Sequence, residues 1–237
     1  MREQAKCLII IPAYNEAGNL EKVIDNLTEN YPQYDYVIVN DGSVDATKKI
    51  CGERRYQVLH LPVNMGIGGA VQTGYRYALE KEYDMAVQID GDGQHDIAFL
   101  EGMIQYMEEE SADCVIGSRF VKKEGFQSSG LRRTGIQFLS ILGFVLTGVR
   151  VRDITSGYRL VNRRFIKSFA QDYPTDYPEP EAMVIVAVQG GKIREYPVVM
   201  RERENGTSSI TLKKSVYYMI KVTLAMLIRR LSFGVRR

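Results

Sequence analysis

Tryptophan is absent from the 237-residue chain, and cysteine occurs only three times. Cys7, Cys51 and Cys114 are odd in number, widely spaced and set in apolar or helical surroundings, which excludes a disulfide framework and a Cys-x-x-Cys metal site and leaves reduced core thiols. Proline (7) and glycine (21) are too ordinary in number for a fibrous or low-complexity chain, and no internal repeat is present. Long apolar runs are also missing. The run Cys7–Ile11 stops at Pro12, short of the 7 to 15 residues of a signal-peptide apolar region, so a cytoplasmic protein is expected. The longest uncharged stretch near the carboxyl end, Val222–Ile228, has seven residues and Gly135–Val149 has 15, against the ~20 that a membrane-spanning helix requires. Acids are missing from one place: residues 213–237 carry seven basic side chains and no Asp or Glu. The rest of the chain is net acidic, which argues against general nucleic-acid binding.

What is present suffices for a packed domain. Hydrophobic residues make up 45%, with 15 Tyr and 8 Phe supplying aromatic area. The short β-branched runs 7–11, 36–39, 57–61, 85–89 and 113–117 alternate with amphipathic stretches at about 16–30, 44–52, 69–81 and 97–110. Strand then helix at this spacing predicts right-handed βαβ units, and hence an α/β fold with a mostly parallel, Rossmann-like sheet flanked by helices. One domain over 1–211 is expected, followed by a basic amphipathic helix over 212–237. Ligands of such sheets bind at the carboxyl ends of the strands. Polar, turn-forming residues follow all five runs: Pro12-Ala13-Tyr14-Asn15-Glu16, Asn40-Asp41-Gly42-Ser43, Asn64-x-Gly66-x-Gly68-Gly69, Asp90-Gly91-Asp92-Gly93-Gln94-His95 and Ser118-Arg119.

Asp90-Gly91-Asp92 is the sharpest of these signals. Two carboxylates one residue apart, with glycines between and behind, leave room for a diphosphate and for Mg²⁺ or Mn²⁺, which take carboxylate and phosphate oxygens. His95 reads as capping the helix that starts near Asp96, or supporting a ligand from behind, ahead of ligating directly. Asp41 sits where a carboxylate can accept from a nucleobase N–H or a ribose hydroxyl, while Ser43 reads as an N-cap for helix 44–52. The glycines at 66, 68 and 69 serve helix-start packing or phosphate approach. Val71 stands where the third glycine of a dinucleotide fingerprint belongs, which disfavours hydride transfer.

Taken in order, Pro12–Glu16, Asn40–Asp45, Asn64–Gly68, Asp90–His95, Gly117-Ser118-Arg119 and Asp153-x-Thr155-Ser156-Gly157-Tyr158-Arg159 resemble the motifs of family 2 glycosyltransferases, and among these the dolichyl- or polyprenyl-phosphate sugar transferases. The resemblance runs from about residue 6 to 209. It implies the GT-A fold, inverting chemistry, a nucleotide-sugar donor and Mg²⁺ or Mn²⁺. By that resemblance Pro12, Ala13, Tyr14, Glu16 and Asp41 hold the nucleoside, with Gly66 and Gly91 beside the donor. Asp90 and Asp92 hold the metal-bound diphosphate, and Gln94 assists the metal. Arg119 faces the transferred phosphate or the acceptor, and Arg203 matches the arginine of an Arg-x-x-Gly-x-Ser-Lys loop in which Ser209 here replaces the lysine. Asn40 stands where many members carry an acid and receives no ligand role.

A polyprenyl phosphate, with a second pKa of ~6, is already an anionic nucleophile at pH 7 and needs cationic positioning more than a base. Arg119, Arg132, Arg133 and Arg203 can supply it, and Asp153 is read either as a base or acceptor-orienting carboxylate or as a structural residue of its turn. Glu179 and Glu181 read as surface acids at a Pro-bounded helix start. In the tail, Lys214, Tyr218, Lys221, Ala225, Arg229 and Ser232 share one helical stripe, which suggests a helix lying on an anionic membrane. The expected partners are the nucleotide sugar, a polyprenyl phosphate and the inner face of the cell membrane, with a separate membrane subunit or a second copy of the chain as further candidates. Nucleic acid is not among them. Competing readings are transfer to a polysaccharide or protein hydroxyl, a non-catalytic membrane-recruiting subunit, and a nucleotidyltransferase.

Overall fold

A computed structural model of the chain describes residues 5–122, 130–200 and 212–235. The chain runs β1 (Cys7–Ala13), α1 (Leu20–Asn30), β2 (Asp35–Asn40), α2 (Thr47–Glu53), β3 (Val58–His60), α3 (Gly66–Glu80) and β4 (Met85–Gln88). A 3₁₀ turn, Ile97–Phe99, leads into α4 (Leu100–Glu109). There follow β5 (Cys114–Ser118), α5 (Gly130–Thr147), β6 (Arg159–Asn162), α6 (Arg163–Gln171), α7 (Pro178–Val188), β7 (Ile193–Pro197) and α8 (Leu212–Val235). The strands form one sheet in the order β3-β2-β1-β4-β6-β5-β7. Only β6 runs against its neighbours β4 and β5, so β5 points the same way as β1 to β4 and their carboxyl ends share one edge.

Strand β1 shows why its run is apolar at every position. Leu8 and Ile10 enter the core under α3, α6 and α7, while Cys7, Ile9, Ile11 and Ala13 enter the core under α1 and α4. A strand covered on both faces has no polar side to alternate with. The chain leaves β1 toward β2 and β3 and returns through α3 to β4 on the other side of β1, so a crevice opens between the ends of β1 and β4.

Two helices start elsewhere than expected. α3 begins at Gly66, and α2 begins at Thr47 because the Ser43 hydroxyl accepts from the Asn15 backbone N–H instead of capping. Glu179 and Glu181 are not the surface acids expected of them. Glu181 pairs with Arg229 at 2.7 Å, with both side chains mostly covered, and burial pushes the partly buried Glu179 carboxyl up while the Arg159 charge opposes that shift.

Helix α8 is turned over relative to the expected stripe. Lys221 pairs with Asp176 at 2.6 Å, Arg229 reaches Asp172 at 2.6 Å as well as Glu181, and Tyr218 meets Tyr177 edge to face. Val222 and Met226 are buried in the main core beside α5 and α7. Lys221 and Arg229 of the stripe therefore face the protein, whereas Val216, Tyr217, Ile220, Leu224, Ile228 and Leu231 are exposed. The acids missing from the tail lie in residues 172–181, which the tail pairs with. Among the described residues, no helix is long and apolar enough to cross a membrane.

Candidate active site

The crevice is built from two loops fastened together. After β1, the Asn15 and Glu16 backbone N–H groups donate to the hydroxyls of Ser43 and Thr47, the Ala17 N–H donates to the Asp45 carboxylate, and the Asn15 side-chain oxygen accepts from Val44 N–H. The residues expected to hold a nucleoside, Pro12, Ala13, Tyr14 and Glu16, lie on this fixed loop; Pro12 and Ala13 are buried, and Tyr14 is exposed. Asp41 is buried beside them and accepts from the Met65 N–H at 2.7 Å, fixing the entry to α3. Gly68 settles one of the two readings of the glycine run. A Cβ there would stand 2.0 Å from the Pro174 carbonyl oxygen, and its N–H donates to Thr175 O at 3.1 Å. Gly68 serves close packing at the helix start rather than phosphate approach.

At the end of β4, Gln88 donates from Nε2 to Asp90 Oδ1 at 3.0 Å, and the Asp90 N–H donates to His95 Nδ1 at 3.1 Å. His95 stacks on Tyr158 and is buried behind Asp90, the supporting place expected of it. Asp92 is buried, and its Oδ1 accepts from the Gln94 N–H at 3.0 Å. Glycines keep the space around these carboxylates clear. A Cβ at Gly91 would meet Pro12 O at 3.3 Å, and one at Gly157 would lie 2.9 Å from Gln88 Nε2 and 3.5 Å from Asp90 Oδ2. Among the described residues no group of three or more His, Cys, Asp or Glu is placed to hold a metal by itself. Two hard carboxylate oxygen donors on a glycine-flanked turn instead fit a Mg²⁺- or Mn²⁺-type cation that completes its shell with substrate phosphate oxygens.

The third part of the site is an ion pair. Asp153 is fully buried, and Arg119 grips it with Nε on Oδ2 at 2.7 Å, Nη2 on Oδ1 at 2.6 Å and its own backbone N–H on Oδ2 at 3.0 Å. Glu195 holds the same turn from β7, accepting from the Arg152 and Asp153 N–H groups at 2.9 Å each. With both oxygens engaged by a guanidinium, Asp153 lacks the geometry of a base, and the structural reading of this carboxylate is the one the contacts favour. Arg119 Nη2 also approaches Thr155 Oγ1 at 3.4 Å, so the pair anchors the 153–157 turn that covers Asp90. Arg159 is buried at the root of that turn and donates to Ser156 O and Ile154 O.

The structure thus brings Pro12–Glu16, Asp41, Asp90, Asp92 and the 153–157 turn to one sheet edge. Arg132 is exposed and Arg133 partly buried on α5, whereas Arg203 lies outside the described residues. Gln88 and Glu195 escaped the sequence reading. For Gln88 a signal existed, since it is the one polar side chain in a run of buried strand residues.

Comparison with known proteins gives the same picture. Residues 8–169 match the family model of glycosyl transferase family 2. The chain is 31% identical over 215 residues to the undecaprenyl-phosphate mannosyltransferase of Micrococcus luteus, covering 87% of this chain and 88% of that one. It is 31% identical over 210 residues to the UDP-N-acetylglucosamine–dolichyl-phosphate N-acetylglucosaminyltransferase of Methanococcus voltae, covering 80% and 83%. Among solved structures, glucosyl-3-phosphoglycerate synthase from Mycobacterium tuberculosis, crystallised with Mn²⁺, UDP-glucose and phosphoglyceric acid, superposes with a TM-score of 0.74 at 18% identity, covering 96% of this chain and 80% of that one. That likeness shows the GT-A fold.

Proposed function

The chain belongs to glycosyl transferase family 2, and from that premise we propose that it moves a sugar, with inversion, from a nucleotide diphosphate sugar to a polyprenyl phosphate at a membrane surface. The observation that carries this reading is the glycine-flanked two-carboxylate turn at the β1–β4 crevice, in a chain whose relatives use different sugars but share a polyprenyl- or dolichyl-phosphate acceptor in their names.

In this reading the fixed loop with Pro12, Ala13, Tyr14 and Glu16, together with Asp41, receives the nucleoside, with Gly66 and Gly91 lining the donor side. Asp90 and Asp92, with Gln94 beside them, hold Mg²⁺ or Mn²⁺, which when bound neutralises the diphosphate and eases its departure. Gln88 and His95 fix the Asp90 carboxylate and its backbone, and the 153–157 turn closes over it. The acceptor phosphate attacks the anomeric carbon from the face opposite the departing diphosphate. It arrives as an anion, so no protein base is required, which agrees with Asp153 being engaged by Arg119. A hydroxyl acceptor would need a base that Asp153 does not offer. Arg119 positions the turn, and Arg132, Arg133 and Arg203 are proposed to attract the acceptor phosphate.

The exposed apolar faces of α8 and of α5, where Phe138, Ile141, Phe144 and Val145 point outward, are proposed to rest on the membrane that holds the acceptor. Incubation of the full chain with Mn²⁺, labelled UDP- and GDP-sugars and undecaprenyl phosphate tests the function. The expected result is label in a lipid-extractable, acid-labile product. Transfer only to polysaccharide or protein hydroxyls, or none with any nucleotide sugar, overturns it.

A further inference from the structure

Gln88 closes strand β4 and is its one polar residue, with 1% of its surface exposed. Its backbone is held from both sides, in register with Ile10 of β1 and Arg159 of β6. A buried amide needs hydrogen-bond partners, and this one reaches forward two residues, where Nε2 donates to Asp90 Oδ1 at 3.0 Å. The orientation is forced. An ionised carboxylate only accepts, so the amide must turn its NH₂ group toward it.

The consequence lies in what remains of the Asp90 carboxylate. Its Oδ1 is taken by the amide, while His95 leaves the other oxygen alone. His95 Nδ1 accepts from the Asp90 N–H, which puts the ring proton of the neutral imidazole on Nε2, 3.8 Å from Asp90 Oδ2 and beyond hydrogen-bond reach. Asp90 therefore offers a cation one oxygen instead of a chelating pair. The same holds for one oxygen of Asp92, whose Oδ1 already accepts from the Gln94 N–H. Gly157 keeps the arrangement intact from the opposite side. A Cβ there would lie 2.9 Å from Gln88 Nε2 and would push the amide off Oδ1.

The number of oxygens that a carboxylate presents separates the hard cations. Mg²⁺ demands near-octahedral, single-oxygen contacts at about 2.0–2.1 Å, whereas Ca²⁺ takes about six to eight oxygens at about 2.3–2.6 Å and accepts chelating carboxylates. Resting on the donor-site reading above, we propose that Gln88 is a positioning residue that sets cation specificity: by occupying Asp90 Oδ1 it holds this carboxylate to single-oxygen contact and favours Mg²⁺ or Mn²⁺ over Ca²⁺. Gln88 acts through Asp90 and stands outside the motif that begins there. Gly157 serves the same end by lacking a side chain.

The test is calorimetric titration of the full chain with Mg²⁺, Mn²⁺ and Ca²⁺, in the presence of UDP and, separately, of GDP. Gln88→Met keeps the length and the packing but removes the donor. Its Mg²⁺ and Mn²⁺ affinities should fall about tenfold while Ca²⁺ affinity holds or rises, so the preference for Mg²⁺ over Ca²⁺ shrinks at least about tenfold. Gly157→Ala reaches the same hydrogen bond from the other side and should shrink the preference in the same direction, so it carries the test should Gln88→Met not fold. A merely structural role would weaken all three cations together and leave their ratio unchanged. An unchanged ratio in the folded variants, or a wild-type chain that binds Ca²⁺ as tightly as Mg²⁺, overturns the assignment of Gln88 and leaves the donor site standing. Failure of the donor reading looks different: the wild-type chain would take up none of the three cations with either nucleotide.

Discussion

The β1–β4 crevice and the part of the chain after β5 hold their acids in place by different means. Around the β1–β4 crevice, Asp41, Asp45 and Asp92 accept backbone N–H groups, two residues away in sequence for Asp45 and Asp92 and 24 residues away for Asp41. On the other side, Asp153 meets Arg119 across 34 residues and Glu181 meets Arg229 across 48. Carboxylates that accept from backbone N–H groups hold a loop rigid, as the proposed site for a cation and a diphosphate requires. Carboxylates gripped by guanidiniums are consumed by the fold. The lesson is that an acid in a recognisable motif is a chemical group on one side of this protein and a rivet on the other.

Asp153→Ala tests the rivet most severely. Removing one partner of a fully buried ion pair leaves Arg119 uncompensated, at a cost of about 3–5 kcal/mol. For a chain of this size each kcal/mol lowers Tm by roughly 2–4 °C, so calorimetry should find a drop of about 6–20 °C. The conservative Asp153→Asn variant should lose stability too while retaining measurable transfer, because no proton passes through this carboxylate. Loss of all turnover with an unchanged Tm would make Asp153 a base after all and break the contrast.

Asp92→Ala is the counterpart at the donor edge. In the proposed donor site its carboxylate would help to hold the cation that compensates the diphosphate, so transfer should fall at least about a hundredfold, and Mn²⁺-dependent nucleotide binding should vanish. Chelation with EDTA should reproduce the loss in the wild-type chain and have no further effect on the variant. Tm should change less than in Asp153→Ala. Nucleotide affinity equal to wild type, measured by calorimetry with Mn²⁺ present, would contradict the donor assignment.

Gly68→Ala probes where the two regions touch. Its Cβ would collide with the Pro174 carbonyl, and overpacking of this kind costs about 1–3 kcal/mol. The 172–181 segment would have to move, carrying with it the Asp172, Asp176 and Glu181 partners of α8. Reduced Tm together with faster proteolysis within α8 is the expected result. A neutral effect would show that the segment yields freely.

The same contrast explains what could be read in advance. The strand runs and the polar residues after each of them were legible because local patterns fix them: a doubly covered strand is apolar throughout, and a phosphate-binding turn needs its glycines and acids in order. For helix α8 the sequence could not say what its basic stripe meets, because such a stripe has two physical solutions, a membrane of phosphates or a segment of acids. Only the tertiary position of Asp172, Asp176 and Glu181 decides between them. Strand β6 was read as no more than the end of a turn, since four residues in antiparallel register give too short a pattern to recognise.

Glu179 stands at the joint between the two regions, and its titration offers the finest test. Burial raises its pKa above the ordinary value of 4.5, Arg159 opposes the shift, and Asp90 at the donor edge adds to it. Between the unfolded and folded values the native chain holds a proton that the unfolded chain releases, so this group makes stability fall as pH rises through that window. Glu179→Gln removes the contribution. Relative to wild type, the variant's Tm should therefore rise between pH 4.5 and the top of the window and stay constant above it. Wild-type and variant curves that run parallel across this range would show that Glu179 is as hydrated as the surface acid its sequence position suggested, and that the donor edge does not feel the segment on which α8 is docked.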